Sequence, residues 1–201
     1  MSISSRIASA VAEFFLLALL ALVPFIAVYL DIVVIGHRIG EVSVTEIAQE
    51  ALLLLTVLVF LYSAWRQPAS RGFLVLVAGF FAAAFIRELD GFLDEVWHGF
   101  WVWPAMLVSL TSISYAAIRC RDTVFQPMAD FIDTKPYYFI VMGLIVLLVF
   151  SRTFGSGNML WNDLLGSYAF KFKTVVQEGL ELFGYLFIAY GAYNFLTRRE
   201  R

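Results

Sequence analysis

Residues 44–65 read VTEIAQEALLLLTVLVFLYSAW, an apolar run in which only Glu46 and Glu50 are charged. The hydrocarbon core of a bilayer is about 30 Å thick, and a helix needs about 20 residues to cross it. Runs of similar character recur at residues 11–34, 72–88, 97–118, 136–151 and 174–196. The sequence therefore predicts an all-α integral membrane protein, a bundle of about six transmembrane helices that occupies residues 1–201 as a single domain.

The composition agrees with a membrane protein. The chain is 61% hydrophobic and 15% charged, whereas soluble domains are about 45–50% apolar and about 25% charged. A net charge of −2 gives no basic surface for nucleic acid, so we expect none as a partner. The lone Cys120 has no second cysteine for a disulfide or a thiolate metal site. The expected partner is the lipid bilayer, with a homo-oligomer or a membrane partner subunit as further alternatives.

Several local signals mark helix ends. Ser43-Val44-Thr45-Glu46 matches a capping box that opens the second helix, and Pro136 suits the first turn of the fifth. The first run is too long for the core of a signal peptide, so we expect a retained helix, bent at Pro24. Aromatic and other residues alternate along 168–173, which predicts an interfacial strand or an aromatic belt; we favour the belt.

The distribution of basic residues predicts the orientation, because Lys and Arg concentrate on the cytoplasmic side of membrane proteins. With the N-terminus inside, nine basic residues are cytoplasmic and five are outside. The cytoplasmic set is Arg6, Arg66, Arg71, Arg119, Arg121, Lys135, Arg198, Arg199 and Arg201, and the outer set is Arg38, Arg87, Arg152, Lys171 and Lys173. We therefore expect both termini in the cytoplasm, and a location in a bacterial cytoplasmic (inner) membrane.

Acidic residues fall at the outer ends of the predicted helices. Glu178 and Glu181 would lie about 9–14 Å below the start of the sixth helix, where an unpaired charge costs a few kcal/mol unless it faces the bundle, pairs or binds a cation. Gln49-Glu50 on the second helix matches Gln177-Glu178 on the sixth, either by duplication or by chance. We expect Glu50 and Glu178 to face the interior and to approach one another.

The segment between the third and fourth helices carries Glu95-x-x-His98. With carboxylates from neighbouring helices, this spacing resembles the way four-helix bundles hold two iron or manganese ions, although a second Glu-x-x-His is absent. Gly91 allows a turn here instead of a helix. The cofactor expected is a divalent metal, Fe, Mn or Zn. The predicted ligands are Glu50, Glu88, Asp94, Glu95, His98, Glu178 and Glu181.

Three functions fit this pattern. In the first, the carboxylate and histidine cluster binds a divalent metal or a proton on the extracytoplasmic side, for transport or sensing. In the second, one or two metals act on a lipid, quinone or other apolar substrate. In the third, the protein is a non-catalytic subunit, and Arg87 with Lys171 neutralises the acids in structural ion pairs. Whether it is an enzyme stays open at this point.

Overall fold

The computed structural model describes residues 3–36, 42–156 and 161–198, and within these residues every regular element is helical. Arg38, Arg199 and Arg201 of the orientation count lie outside the described residues. Within these described ranges, nine helices are numbered in chain order. They are α1 (Ile3–Ile35), α2 (Val44–Arg66), α3 (Arg71–Glu88), α4 (Asp90–Leu93), α5 (Val102–Arg119), α6 (Phe125–Ile132), α7 (Lys135–Phe154), α8 (Asn162–Leu165) and α9 (Ala169–Arg198).

Four of these helices are long and apolar enough to cross a membrane: α1, α2, α3 with its preceding turn, and α7. The prediction of an all-helical fold with several helices of membrane-spanning length is thereby confirmed for the described residues. α5 spans 18 residues, about 27 Å of rise, and α9 spans 30 residues but carries several charges. Crossing by all six long helices stays a prediction.

The first and last residues of the helices in the structure can be compared with the predicted helix boundaries. Ser43 Oγ accepts a hydrogen bond from Glu46 N at 3.2 Å, and Pro136 lies in the first turn of α7, as predicted. The fourth long helix starts at Val102 and not at 97, because Gly99 has a φ of +83° that an α-helix does not accommodate. Tyr168 ends a short 3₁₀ turn, and residues 169–173 form the start of α9. The strand alternative is therefore wrong.

Two long helices contain a π-helical segment. In α1 it spans Leu30–Ile35, and in α7 it spans Val146–Phe150. Such wider turns are rare and occur often at functional sites. The first segment carries the buried Asp31, and the second ends directly before the buried Ser151, so each widened turn positions a polar side chain inside the bundle.

The helices pack in a curved row. α5 packs on α3, α3 on α2, α2 on α9 and α9 on α7, while α1 lies against α9. α7 and α9 approach closely, since a Cβ on Gly143 would lie 2.6 Å from the carbonyl oxygen of Gly184. The fully buried centre includes Leu53 and Phe60 of α2 and Ile188 of α9.

In this row α3 flanks α2 and α7 flanks α9, and these two flanking helices face each other across a gap. At the end of the bundle where α7 begins, Phe131 of α6 lies in this gap, with its ring 5.4 Å from Phe73, 5.7 Å from Phe195 and 5.9 Å from Tyr137. We call this end the Lys135 end and the opposite end the glutamate end. A cavity of about 240 Å³ remains beside Phe131 at the Lys135 end.

Candidate functional site

Three glutamates from two helices meet at the glutamate end. Glu88 is the last residue of α3, while Glu178 and Glu181 lie in the first half of α9. Glu181 is only 4% exposed, and each of the other two interacts electrostatically with it. We call Glu88, Glu178 and Glu181 the glutamate cluster.

Neutral donors from α2 and α9 hold two of the three carboxylates. Gln49 Nε2 donates to Glu178 Oε2 and to the Glu178 carbonyl oxygen, both at 3.1 Å. Tyr185 Oη donates to Glu88 Oε1 at 3.0 Å. Gln49 and Tyr185 are 1% and 2% exposed, so these contacts form inside the bundle, where a hydrogen bond is electrostatically stronger than in water.

The third carboxylate, Glu181, sits against the end of α7. Gln177 Nε2 donates to Glu181 Oε1 at 3.1 Å, and Arg152 Nη2 lies 3.8 Å from the same oxygen. Ser151 Oγ is also 3.1 Å from this oxygen, but it is closer, at 2.7 Å, to the carbonyl oxygen of Leu147. The Ser151 hydroxyl has a single proton, so it donates to one of these two oxygens at a time, and while it donates to Leu147 its oxygen is an acceptor facing Glu181.

The charges around the cluster do not balance. Arg87 Nη1 pairs with Glu88 Oε1 at 2.6 Å, and Arg152 is the second cation, near Glu181. Three carboxylates face two guanidinium groups, which leaves one negative charge over when all are ionised. In a low-dielectric interior such an excess is expensive unless a cation or a proton neutralises it.

A second polar contact set lies near the Lys135 end and is balanced. Lys135 Nζ pairs with Glu13 Oε2, and Tyr190 Oη donates to Glu13 Oε1 at 2.9 Å. One acid meets one base here, and together they join α1 to α7 and α9. This set has the composition of a structural ion pair.

Asp31 is buried at 1% exposure and acts as a cap for α2. Its carboxylate accepts from Val44 N at 2.7 Å, from Thr45 N at 3.0 Å and from Thr45 Oγ1 at 2.6 Å. These donors belong to the first turn of α2, where backbone amides lack helical partners and favour a negative charge. Asp31 is therefore explained by structure alone.

The structure brings together three of the seven predicted ligands. Glu88, Glu178 and Glu181 form the cluster, but it is Gln49, and not the partly exposed Glu50, that contacts Glu178. The expected meeting of Glu50 and Glu178 is thus replaced by a contact one residue earlier. On a helix, consecutive residues point about 100° apart, which accounts for the difference.

The other predicted ligands lie apart from the cluster. The chain leaves α4 at Asp94 and runs in turns to Trp101, so Glu95 and His98 do not share the face of a continuous helix. His98 Nδ1 contacts Asp94 Oδ2 at 3.1 Å, and the His98 side chain is fully exposed. Within residues 3–36, 42–156 and 161–198, no three His, Cys, Asp or Glu side chains are grouped as a metal site.

Sequence reasoning missed Gln49, Ser151, Tyr185 and the pairing role of Arg152. A usable signal was present on the sixth helix, because Glu178, Glu181 and Tyr185 follow the i, i+3, i+7 spacing of one helical face. Ser151 is the last residue of the shortest predicted run, 136–151, and Arg152 is the first residue of the loop expected after it. The chain matches no known family model, no curated protein and no solved structure.

Proposed function

We propose that this is an integral membrane protein whose extracytoplasmic half binds a cation at the glutamate cluster, and that this cation is a proton. The observation that carries the proposal is the charge count: three carboxylates face two guanidinium groups inside a helical bundle. Carboxylates that share a site do not all ionise readily, because each disfavours the charge of the next. One bound proton makes the cluster neutral.

The hydrogen-bond geometry also favours a proton over a metal. Metal ligation uses carboxylate lone pairs, and here Gln49, Gln177 and Tyr185 already direct donors at carboxylate oxygens. A proton on Glu181 would have an acceptor in Ser151 Oγ, because the Ser151 hydroxyl can then donate its own proton to the Leu147 carbonyl oxygen at 2.7 Å. The site is therefore better suited to a carboxylic acid than to an ion that needs several open oxygens.

Sensing fits the surroundings better than conduction. Along α9, Glu181 and Tyr190 are nine residues apart, about 13 Å of rise. The interior between them is mostly apolar, with the fully buried Leu182 and Ile188 of α9 and Phe60 of α2, and the buried polar side chains that α2 adds are Thr56 and Ser63. These two hydroxyls are seven residues apart, about 10 Å along the helix, which is too far for one to pass a proton directly to the other. Among the described residues, this spacing supports the sensing of external pH over a simple proton channel.

The sidedness of the proposal depends on both termini being cytoplasmic, in a bacterial inner membrane. Cys120 follows α5 and is partly exposed, so it serves as a natural label. A membrane-impermeant maleimide should leave Cys120 unlabelled in intact spheroplasts and label it after permeabilisation. Labelling of intact spheroplasts would reverse the orientation and turn the cluster toward the cytoplasm.

Infrared difference spectroscopy on the purified full chain tests proton binding directly. Between alkaline and acidic buffer, the wild type should gain the carbonyl band of a buried protonated carboxyl group. Glu178→Gln should abolish or strongly reduce this band, because the remaining two carboxylates are matched by two guanidinium groups. Glu50→Gln is the matched control, since Glu50 lies at a similar depth outside the cluster, and it should keep the band. A band that survives Glu178→Gln unchanged would refute a shared proton.

Metal analysis of the same preparation separates the proton from the metal alternative. We expect no stoichiometric iron, manganese or zinc after purification in the presence of each metal. One or two ions per chain, lost in Glu178→Gln and kept in Glu50→Gln, would replace the proton by a metal. Such a result would favour the alternative hypothesis that the protein is a metal-dependent membrane enzyme.

A further inference from the structure

The gap between α3 and α7 opens into a groove at the glutamate end. The groove encloses about 140 Å³ and is walled by Phe80, Ala84 and Arg87 of α3, with Leu144, Leu148 and Arg152 of α7. On each helix these residues follow the spacing of one face, four and then three or four residues apart. Two apolar stripes thus face each other, and each ends at an arginine in the last turn of its helix.

The groove is open toward the surrounding lipid. Phe80 and Leu148 are 54% and 59% exposed, so the apolar part of the groove is accessible from the side of the bundle. The floor is formed by Leu53 and Phe81 with Tyr185, side chains of α2, α3 and α9. At the opposite end of the gap, Phe131 occupies the corresponding space.

The charges at the mouth of the groove select the ligand. The surface of the groove carries two guanidinium groups and the Glu88 carboxylate, whereas Glu178 and Glu181 do not line it, so the groove side of the charged set is the positive side. The Arg87 and Arg152 side chains are 43% and 48% exposed, so each presents donors to the mouth besides its contact with a glutamate. Arginine binds phosphate with paired, charge-assisted hydrogen bonds.

We infer that this groove binds an anionic phospholipid, with one acyl chain between the α3 and α7 stripes and the phosphate at Arg87 and Arg152. From the mouth inward, the arginines come first and the apolar residues follow, which is the order of headgroup and acyl chain in a bilayer lipid. Leu148 and Leu144 lie four and eight residues before Arg152, about 6 and 12 Å further into the membrane. The inference stands on the groove and its arginines, and its charge balance rests on the proposed cluster proton, which makes the three glutamates and two guanidinium groups neutral before the lipid binds.

Thermal unfolding of the delipidated full chain in detergent tests the inference. Added dioleoylphosphatidylglycerol should raise the Tm in a saturable way, because a ligand that binds only the folded state stabilises it. Dioleoylphosphatidylcholine, which carries the same chains and no net charge, should raise the Tm far less. Equal shifts with the two lipids would overturn the role of the anionic headgroup, and an equal shift with oleate would overturn the assignment to a phospholipid.

Three variants localise the effect. Arg87→Gln should weaken the apparent affinity for dioleoylphosphatidylglycerol about tenfold, the usual result of losing a hydrogen bond to a charged group. Ala84→Phe should remove the response by filling the groove without changing a charge. Arg119→Gln, at the other end of the bundle, is the control and should respond as the wild type does. A full response in both Arg87→Gln and Ala84→Phe would place the lipid elsewhere and overturn the inference.

Discussion

The two ends of the bundle balance their charged side chains differently. Near the Lys135 end, one glutamate meets one lysine and one tyrosine, and the three link α1, α7 and α9. At the glutamate end, three carboxylates meet two guanidinium groups and a set of neutral donors. A balanced pair has no further need for an ion, whereas we propose that the unbalanced cluster binds a proton. On this proposal the contrast separates a contact that holds helices together from a site that changes its charge.

The same two ends differ in how the gap between α3 and α7 is filled. Phe131 of α6 occupies it at the Lys135 end, with aromatic rings on three sides. No side chain of α6 reaches the glutamate end, where a groove remains. The closed end is therefore expected to contribute stability, and the open end to contribute binding.

Removal of Arg152 should have the largest effect. Arg152→Gln raises the excess of carboxylates over guanidinium groups from one to two, beside the buried Glu181. Breaking a buried pair costs about 3–5 kcal/mol, and because Arg152 is half-exposed we expect the lower end, about 3 kcal/mol of unfolding free energy. Chemical unfolding in detergent measures this, with Arg119→Gln as the control. A loss below about 0.5 kcal/mol would mean that Glu181 does not need a cation.

Disruption of the balanced pair should have a smaller effect that is reversible by a second change. Lys135→Met leaves Glu13 unpaired and should cost about 1–2 kcal/mol, between the values for exposed and buried pairs. The double variant Glu13→Gln/Lys135→Met should recover most of this loss, since both charges then disappear together. A double variant as unstable as the single one would show that Lys135 stabilises through other contacts.

Neutralisation of Glu178 should have the opposite sign. Glu178→Gln removes the excess charge and keeps an amide oxygen to accept from Gln49, so stability near neutral pH should rise by about 1 kcal/mol, the usual scale of one such contact. The folded wild type should bind a proton that the unfolded chain does not hold, and its stability should therefore rise as the pH falls. The variant should lose this dependence, and Glu50→Gln should retain it. Parallel pH profiles for wild type and Glu178→Gln would contradict the cluster proton.

The exposed acidic turn should show the smallest effect. Glu95→Gln and His98→Ala alter solvated side chains, so each should change stability by no more than about 0.5 kcal/mol. Metal content should also be the same in both variants and in the parent. Loss of a bound metal in either variant would revive the predicted Glu95-x-x-His98 ligand pair and move the site out of the bundle.

Helix positions followed from the sequence because they depend on local composition and capping. The run 44–65 became Val44–Arg66, with the Ser43 cap in place. The third and fifth runs were likewise close to Arg71–Glu88 and Lys135–Phe154. Apolar length and capping act within a few residues, so a single sequence contains the information needed for them.

The partners in the cluster did not follow from the sequence because they depend on helix rotation. Gln49 and Glu50 are adjacent polar residues on α2. Only the packing of α2 on α9 decides that it is Gln49 that contacts Glu178. The π-helical segment before Ser151 makes the facing residues harder to predict from the sequence, since a widened turn changes which residues of α7 face α9. Glu88, Glu178 and Glu181 were identified as candidates, but their donors and cations required the three-dimensional arrangement.

Asp31 has a consequence for how the protein is made. Its carboxylate is satisfied by the first turn of α2, so a nascent chain that has completed only α1 carries an unmatched acid at the end of its first apolar segment. The start of α2 must emerge from the ribosome before that acid gains its donors. We therefore expect α1 and α2 to insert as a paired hairpin, and we expect Asp31→Ala to let α1 integrate on its own before the start of α2 has emerged.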